Sequence, residues 1–482
     1  MIDLRPVVFI IGILLTILAV AMIIPAIVDI AVGHSDWQVF AASAALTFFV
    51  GVLMALTTRA GWGAFTLRQA FLMTNLAWLV IATFAALPLA FSGLDLSYTD
   101  AFFESMSGVT TTGSTVIVGL DYAPPGILLW RALLQWLGGI GIIVMAVAVL
   151  PILQVGGMQL FRVEAFETDK VMPRAAQLAG RIGFVYVALT AVGAVVLWLL
   201  GMSGFDAVAH AMTSIATGGF STRDTSIGFY DSAAIDWAIC LFMVLGSVPF
   251  VLYLKAAQGR PLAFFEDSQV RWLIMILAFG IVTVTFWLSR NGIVEGLGPS
   301  LRYAAFNTIS IMTGTGYSST NFGAWGGYAM AILFVLMFVG GCAGSTTCGI
   351  KIFRFQVVHA TALVQLRKLL QPNGVFIAYY NKRPIPDHVA ASVMSFFFLY
   401  AASFAVLALG LGFLGLDFVT SVSGAATAIS NVGPGLGDII GPAGNFAPLP
   451  DAAKWLLSAG MLLGRLELFT VMVLFSRAFW RD

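Results

Sequence analysis

The chain of 482 residues is 60% hydrophobic and only 10% charged, with a formal net charge of +1 and a mean hydropathy of +0.96. That balance excludes a soluble domain of this length, and near-neutrality gives no electrostatic footprint for nucleic acid. Four histidines are scattered and three cysteines, Cys240, Cys342 and Cys348, lie within or beside apolar stretches. A metal-dependent intramembrane enzyme and a disulfide framework therefore both lack support, and the cysteines read as small packing residues.

Ten apolar stretches are long enough, or nearly so, to cross a bilayer: 6–32, 38–56, 70–92, 126–150, 182–202, 233–254, 272–289, 328–350, 389–414 and 452–476. The first is too long for a signal-peptide core and has no small-residue cleavage pattern, so it reads as a retained membrane helix. Arg5 before it sets the N-terminus on the cytoplasmic side. Threading from there leaves 18 of the 24 Lys and Arg inside, among them Arg59, Arg68, Arg162, Lys170, Arg174, Arg181, Lys351, Arg354, Arg367, Lys368, Lys382 and Arg383. Five (Arg131, Arg223, Arg290, Arg302, Lys454) fall outside and Arg465 falls within a span. This positive-inside bias predicts both termini in the cytoplasm.

Between spans on the external side, four short segments (100–112, 206–218, 300–315 and 417–432) each end in a glycine-centred turn, at Gly113, Gly219, Gly316 and Gly433. A hydroxyl residue stands six positions before each glycine: Ser107, Thr213, Ser310 and Thr427. None of the segments can cross about 30 Å of hydrocarbon, so each must dip in and return, which is tolerated only against protein or a water-filled cavity. A descending helix aims its partly negative C-terminal end at the axis, and four such ends favour a cation. Glycine then permits the dihedrals of an ascending turn whose carbonyls face inward, the chemistry that replaces the hydration shell of a potassium ion. Asp100 and Asp206, each 13 residues ahead of its glycine, read as N-caps of the first two short helices.

The eighth stretch is broken. A helix from Tyr328 to Cys342 reaches only about 22 Å, and the run Gly341-Cys-Ala-Gly-Ser-Thr-Thr-Cys-Gly349 follows before a basic amphipathic segment from Lys351 to Lys368. The broken piece must lie at membrane depth, where a small loop suits a mobile plug. Arg465, in the last span, needs a cavity or an acceptor, while Glu467 two residues on points elsewhere.

Ala216-Thr-Gly-Gly-Phe-Ser221, Asn431-Val-Gly-Pro-Gly-Leu-Gly437, Gly340-Gly-Cys-Ala-Gly-Ser-Thr-Thr-Cys-Gly-Ile-Lys351 and Gly464-Arg-Leu-Glu-Leu-Phe-Thr470 together resemble the superfamily of potassium transporters that includes TrkH, TrkG, KtrB and the fungal Trk proteins. The likeness covers the whole chain, and two extra N-terminal helices favour the TrkH/TrkG type. It implies an all-α polytopic membrane protein with four pseudo-symmetric helix–pore helix–filter–helix repeats around one pore: 63–160, 161–260, 261–375 (with the intramembrane loop) and 376–482, after two extra helices in 1–62. It implies K⁺ uptake without enzymatic activity or a covalent cofactor, a homodimer, a cytoplasmic TrkA-like nucleotide-binding ring, and a bacterial inner membrane with its lipid.

By the family's pattern the selectivity filter comprises Thr111, Thr112, Gly113, Thr217, Gly218, Gly219, Gly314, Thr315, Gly316, Asn431, Val432 and Gly433. K⁺ is then held at Thr111, Thr112, Thr217, Gly218, Gly314, Thr315, Asn431 and Val432. The gate comprises Gly340, Gly341, Cys342, Ala343, Gly344, Ser345, Thr346, Thr347, Cys348 and Gly349, together with Arg465. The family usually has glycine where this chain has Cys348, which predicts a stiffer loop. At about 10 Å and an effective dielectric near 20, Arg465 would oppose a K⁺ ion by roughly 1.7 kcal/mol.

Glu104, His210 and Asn307, each nine residues before its glycine, read as polar anchors of the short helices. The basic segments 351–368 and 381–383 read as positive-inside loops, with docking of the regulatory ring as the sharper alternative. A second functional reading is an H⁺- or Na⁺-coupled K⁺ symporter, which needs an intramembrane acidic or histidine relay.

Overall fold

The computed structural model describes residues 2–59, 65–145, 171–381 and 383–481, with side chains for all of these but 171–176. The end of the fourth predicted stretch (146–150), together with Arg162, Lys170, Lys382 and the side chain of Arg174, lies outside the described residues.

The described chain is mostly helical, with a two-stranded pairing of Tyr379–Tyr380 and Arg383–Pro384. Helices α1 (Arg5–Val32) and α2 (Trp37–Thr57) form an N-terminal hairpin, followed by α3 (Leu67–Ala90), the short α4 (Tyr98–Val109) and α5 (Pro125–Val144). Next come α6 (Val171–Leu199), the short α7 (Gly204–Ile215), α8 (Ala233–Ser247), α9 (Phe250–Ala257), α10 (Ser268–Arg290) and α11 (Leu297–Met312). The chain continues with α12 (Gly327–Met337), α13 (Ile352–Leu370), α14 (Asp387–Phe413), the short α15 (Phe418–Ser430), α16 (Asp451–Arg465) and α17 (Phe469–Phe475).

Among the described residues seven helices are long and apolar enough to cross a membrane, or up to nine if each of two bent pairs is one span. The predicted stretches 233–254 and 452–476 are those bent pairs rather than straight spans: α8 and α9 meet at 94°, α16 and α17 at 109°. The first bend follows from Pro249, which lacks an N–H and holds Val248 extended at ψ 148°. The second falls where Glu467 adopts a left-handed φ of 60°. The helix of the eighth stretch also ends earlier than predicted, at Met337 instead of Cys342. A bridge between Val339 and Ile350 takes the chain out of helical geometry there, with Gly340 N–H donating to Ile350 O at 3.0 Å.

Lipid tails offer no hydrophobic driving force between helices, so contacts rest on small residues and polar ties. Gly12 of α1 and Gly51 of α2 let two backbones touch, since a Cβ on Gly12 would fall 2.7 Å from the Gly51 carbonyl oxygen. The hairpin docks through Asp29, whose Oδ1 accepts from Gly126 N–H at 2.7 Å in the first turn of α5, where the helix dipole favours an acid. Residues such as Phe49, Phe184, Phe279, Phe398 and Phe413 point outward, as an apolar solvent requires.

The short helices begin one turn ahead of the predicted caps. Ser97 and Ser203 are the N-caps, each hydroxyl accepting the N–H three residues on, from Asp100 and Asp206 respectively. The two aspartates are first-turn residues, and Asp417 caps α15 by accepting from Thr420 N–H.

Candidate functional site

The four short helices end alike. Two residues before each glycine the backbone turns left-handed, at Thr111 (φ 52°), Thr217 (φ 49°), Gly314 (φ 71°) and Asn431 (φ 52°). The glycines repeat that sign, at 88°, 78°, 78° and 112°, while the residue in between does not share it. Left-handed backbone two residues apart turns successive carbonyls toward one side, whereas an ordinary strand alternates them. A threonine at φ near 50° is strained by about 1–3 kcal/mol, so Thr111 and Thr217 store energy that the surroundings must hold.

The hydroxyl residues six before the glycines mark a shared helix end. The N–H of Thr112, Gly218, Thr315 and Val432 donates to the carbonyl of Ser107, Thr213, Ser310 and Thr427, at 2.8, 2.9, 2.9 and 3.1 Å. A second bond joins the left-handed residue to the carbonyl three back in every copy, from Thr111 to Gly108 at 3.0 Å in the first. These are four Schellman caps in register, each delivering a helix C-terminus to the turn.

The turns close on one another in cyclic order. A Cβ built on Gly113 would lie 2.3 Å from the carbonyl oxygen of Gly218, one on Gly219 1.7 Å from that of Thr315, one on Gly316 2.0 Å from that of Val432, and one on Gly433 2.9 Å from that of Thr112. Each glycine thus packs on the carbonyl just before the next copy's glycine, and the fourth returns to the first. All four glycines line a single depression on one side, which Ser114, Thr115, Ser221, Asp224 and Ser318 rim.

Polar side chains lock the ring. Ser114 Oγ donates to Gly433 O at 2.7 Å, and Asn431 Nδ2 to Thr112 Oγ1 at 2.9 Å. Tyr317 and Thr213 share a hydroxyl contact between the second and third turns. The residues nine before the glycines are anchors, as the sequence predicts. Glu104 accepts from Val116 N–H at 2.8 Å, a His210 ring nitrogen meets Ser221 Oγ at 3.0 Å, and Asn307 Nδ2 donates to Ser319 Oγ at 3.0 Å. Glycine occupies this place in the fourth copy, and the neighbouring Ser423 accepts from Leu436 N–H at 2.9 Å.

On the opposite side of the ring, the buried loop 340–349 fills the space below the left-handed residues. Thr217 Oγ1 donates to Thr346 Oγ1 at 3.1 Å, Cys348 Sγ lies 3.8 Å from Thr111 Oγ1, and Thr346 donates to the carbonyls of Ile215 and Gly246 at 3.0 and 2.9 Å. The loop backbone is also paired: Cys342 and Thr346 donate to Ser247 and Gly246 carbonyls, and Ala343 N–H to Gln269 Oε1 at 2.9 Å. Arg465, 2% exposed at the end of α16, donates to Thr346 O at 3.2 Å, Cys348 Sγ at 2.6 Å and Gly138 O at 2.8 Å. All three cysteines are buried free thiols, and Cys348 is more than a packing residue, since it accepts from the guanidinium. Glu467 turns away from Arg465 and pairs with the buried Arg354 of α13. Lys351 is likewise buried and donates to Thr347, so the start of the basic segment belongs to the interior instead of a solvated loop.

The sequence places Arg131 among the external cations and passes over Gln135, whereas the structure buries both inside α5. Arg131 is fully buried, pairs with Glu104 at 2.7 Å, reaches Ser221 O at 2.8 Å and stacks 4.1 Å over Phe220. Gln135, one turn on, meets Gly218 and Phe220. The available signal was their spacing: two strongly polar residues four apart in an otherwise apolar span must share a protein-facing side.

The fold and the ring define a polytopic helical membrane transporter. The TrkH family model, described as "Cation transport protein", matches residues 36–481. The chain is 46% identical to the Trk system potassium uptake protein TrkI of Halomonas elongata over 99% of this chain and 97% of that one. It is 37% identical to the Trk system potassium uptake protein TrkH of Escherichia coli, over 99% of each chain. The crystal structure of the potassium transporter TrkH from Vibrio parahaemolyticus superposes with a TM-score of 0.93 at 35% identity, covering 100% of both chains. The chain belongs to the TrkH family.

Proposed function

We propose that this chain carries K⁺ into the cell through the ring of four turns. The observation that carries the reading is the cyclic closure of Gly113, Gly219, Gly316 and Gly433 on the carbonyls of Gly218, Thr315, Val432 and Thr112. Carbonyls of Thr111, Thr112, Thr217, Gly218, Gly314, Thr315, Asn431 and Val432 coordinate the ion as cargo, replacing water with oxygens at the negative ends of four helices. The four-fold backbone with unlike side chains predicts free passage of K⁺ and Rb⁺ and incomplete rejection of Na⁺. The chain divides into two extra helices (1–62) and four repeats (63–160, 161–260, 261–375 and 376–482).

Loop 340–349 is the gate, with Arg465 holding it shut beneath the ring. Opening exchanges its bonds to Thr346 and Cys348 for water, a step that a cytoplasmic TrkA-like nucleotide-binding ring drives from below. The working unit is a homodimer in a bacterial inner membrane with both termini cytoplasmic. Permeation is favoured over H⁺- or Na⁺-coupled symport, because the acidic and histidine groups near the turns, Glu104, Asp206, His210 and Asp224, are all engaged in hydrogen bonds.

Radioactive Rb⁺ uptake into proteoliposomes, competed by K⁺ or Na⁺, tests the reading. Uptake that K⁺ competes more strongly than Na⁺ supports it. Equal competition in the parent and in Gly113→Ser alike would remove the ring from the transport path.

A further inference from the structure

The second turn departs from the other three at one position. The residue before the ring glycine is Thr112, Thr315 and Val432 in three copies, but Gly218 in the second. Its φ is not left-handed, so no backbone demand calls for glycine there. The reason lies across the interface: a Cβ on Gly218 would fall 2.4 Å from both Cδ and Oε1 of Gln135, and 2.9 Å from Nε2. That amide occupies the volume in which the other copies place a side chain.

The amide does more than fill space. Gln135 Oε1 accepts from Phe220 N–H at 2.9 Å, which fixes which end of the amide is which. Nε2 then faces the Gly218 carbonyl oxygen and donates to it at 2.5 Å. The two bonds straddle Gly219 as a second strand would, from a side chain with no exposed surface. Arg131 extends the clamp by one turn to Ser221 O, and Gly139 one turn the other way lets α5 approach Ala216. Residues 131, 135 and 139 thus form one rail along the second turn. Of the four carbonyls one residue before the ring glycines, only that of Gly218 receives such a side-chain donor among the described residues.

We infer that Gln135 is a positioning residue for ion selection: its amide fixes the orientation of the Gly218 carbonyl, and Gly218 is glycine because Gln135 fills the space that a Cβ would need. This rests on the reading of the turns as the ion-coordinating ring. With one lone pair engaged by the amide, the Gly218 oxygen contributes a weaker field than its three counterparts. Loss of the amide frees the peptide to rotate and blurs the discrimination between ions.

The test compares Rb⁺ and Na⁺ uptake into proteoliposomes for the parent, Gln135→Leu, Gln135→Met, Gly218→Ser and the double variant Gln135→Ala/Gly218→Ser, each checked for folding by gel filtration and thermal melting. Gln135→Leu and Gln135→Met should lower the Rb⁺ over Na⁺ preference about threefold to tenfold, the worth of one hydrogen bond. Gly218→Ser should abolish uptake, and the double variant should recover it, because the space behind residue 218 is then open. Met keeps the length of Gln without a charge or a donor, so a purely packing role would leave its ratio at the parent value. An unchanged ratio in folded Gln135→Met, or a double variant as inactive as Gly218→Ser, overturns the clamp while the selective parent keeps the ring reading intact. A folded parent without selective uptake overturns both.

Discussion

Arg465 donates through Nη1 to the carbonyl oxygen of Thr346 at 3.2 Å, tying the last long helix to the loop that sits against the second turn. Its Nη2 reaches Gly138 of α5 at 2.8 Å, so one buried guanidinium joins α16, α5 and the loop. A cation at a helix C-terminus is favoured by the dipole, which helps offset its burial.

Arg465→Ala removes two donor contacts to the loop, and a third to Gly138 of α5, at once. If the loop closes the path, Rb⁺ uptake should rise about tenfold, the effect of losing one charge-assisted hydrogen bond from the closed state. Uptake assayed in proteoliposomes checks this, and an unchanged rate in folded protein would show that Arg465 does not hold the loop.

Cys348→Gly deletes the acceptor of the same guanidinium and its contact with Thr111. Uptake should rise, by less than in Arg465→Ala. Combining the two changes should give less than the product of their effects, since both act on one network. Multiplicative behaviour would place Cys348 and Arg465 in separate roles.

Gly219→Ala sets a Cβ 1.7 Å from the Thr315 carbonyl on a backbone with φ +78°. Neither the next turn nor the dihedral can yield without opening the ring, so uptake should be lost. Gly204→Ala, at the start of the same short helix with nothing within 4 Å of its Cβ, should stay within about 0.5 kcal/mol of the parent in stability and transport normally. Uptake together with thermal melting separates the two.

Arg131→Met leaves Glu104 as an unpaired buried carboxylate beside the first turn. The expected cost is about 3–5 kcal/mol, seen as a lowered melting temperature in detergent. Adding Glu104→Gln should restore at least half of the loss, because it removes the stranded charge. A double variant no more stable than Arg131→Met would mean that Arg131 acts through Ser221 and Phe220 instead.

Much of the site was legible because its signals are local. A glycine turn, a hydroxyl residue six positions earlier and a short apolar helix all lie within a dozen residues of one another, and each has its own backbone chemistry. Repetition made them visible, since four copies in register state the same requirement four times. The broken eighth stretch was legible for a similar reason: too few apolar residues precede its glycine-rich run to cross a bilayer.

Sequence by itself determined the membrane class, the four turns, the interrupted helix and the presence of a buried arginine, because each follows from hydropathy or from dihedrals that only certain residues adopt. Tertiary structure alone decided the cyclic order of the turns, the bends after Ser247 and Arg465, the pairing of Glu467 with Arg354, and the use of Cys348 and Gln135 as partners. Those contacts join residues some 80 to 330 positions apart, and they depend on how helices rotate and slide against one another. Apolar periodicity says which stretches pack, but it leaves open which polar atom meets which. That is set by the need of every buried donor and acceptor to find a partner where no water can serve.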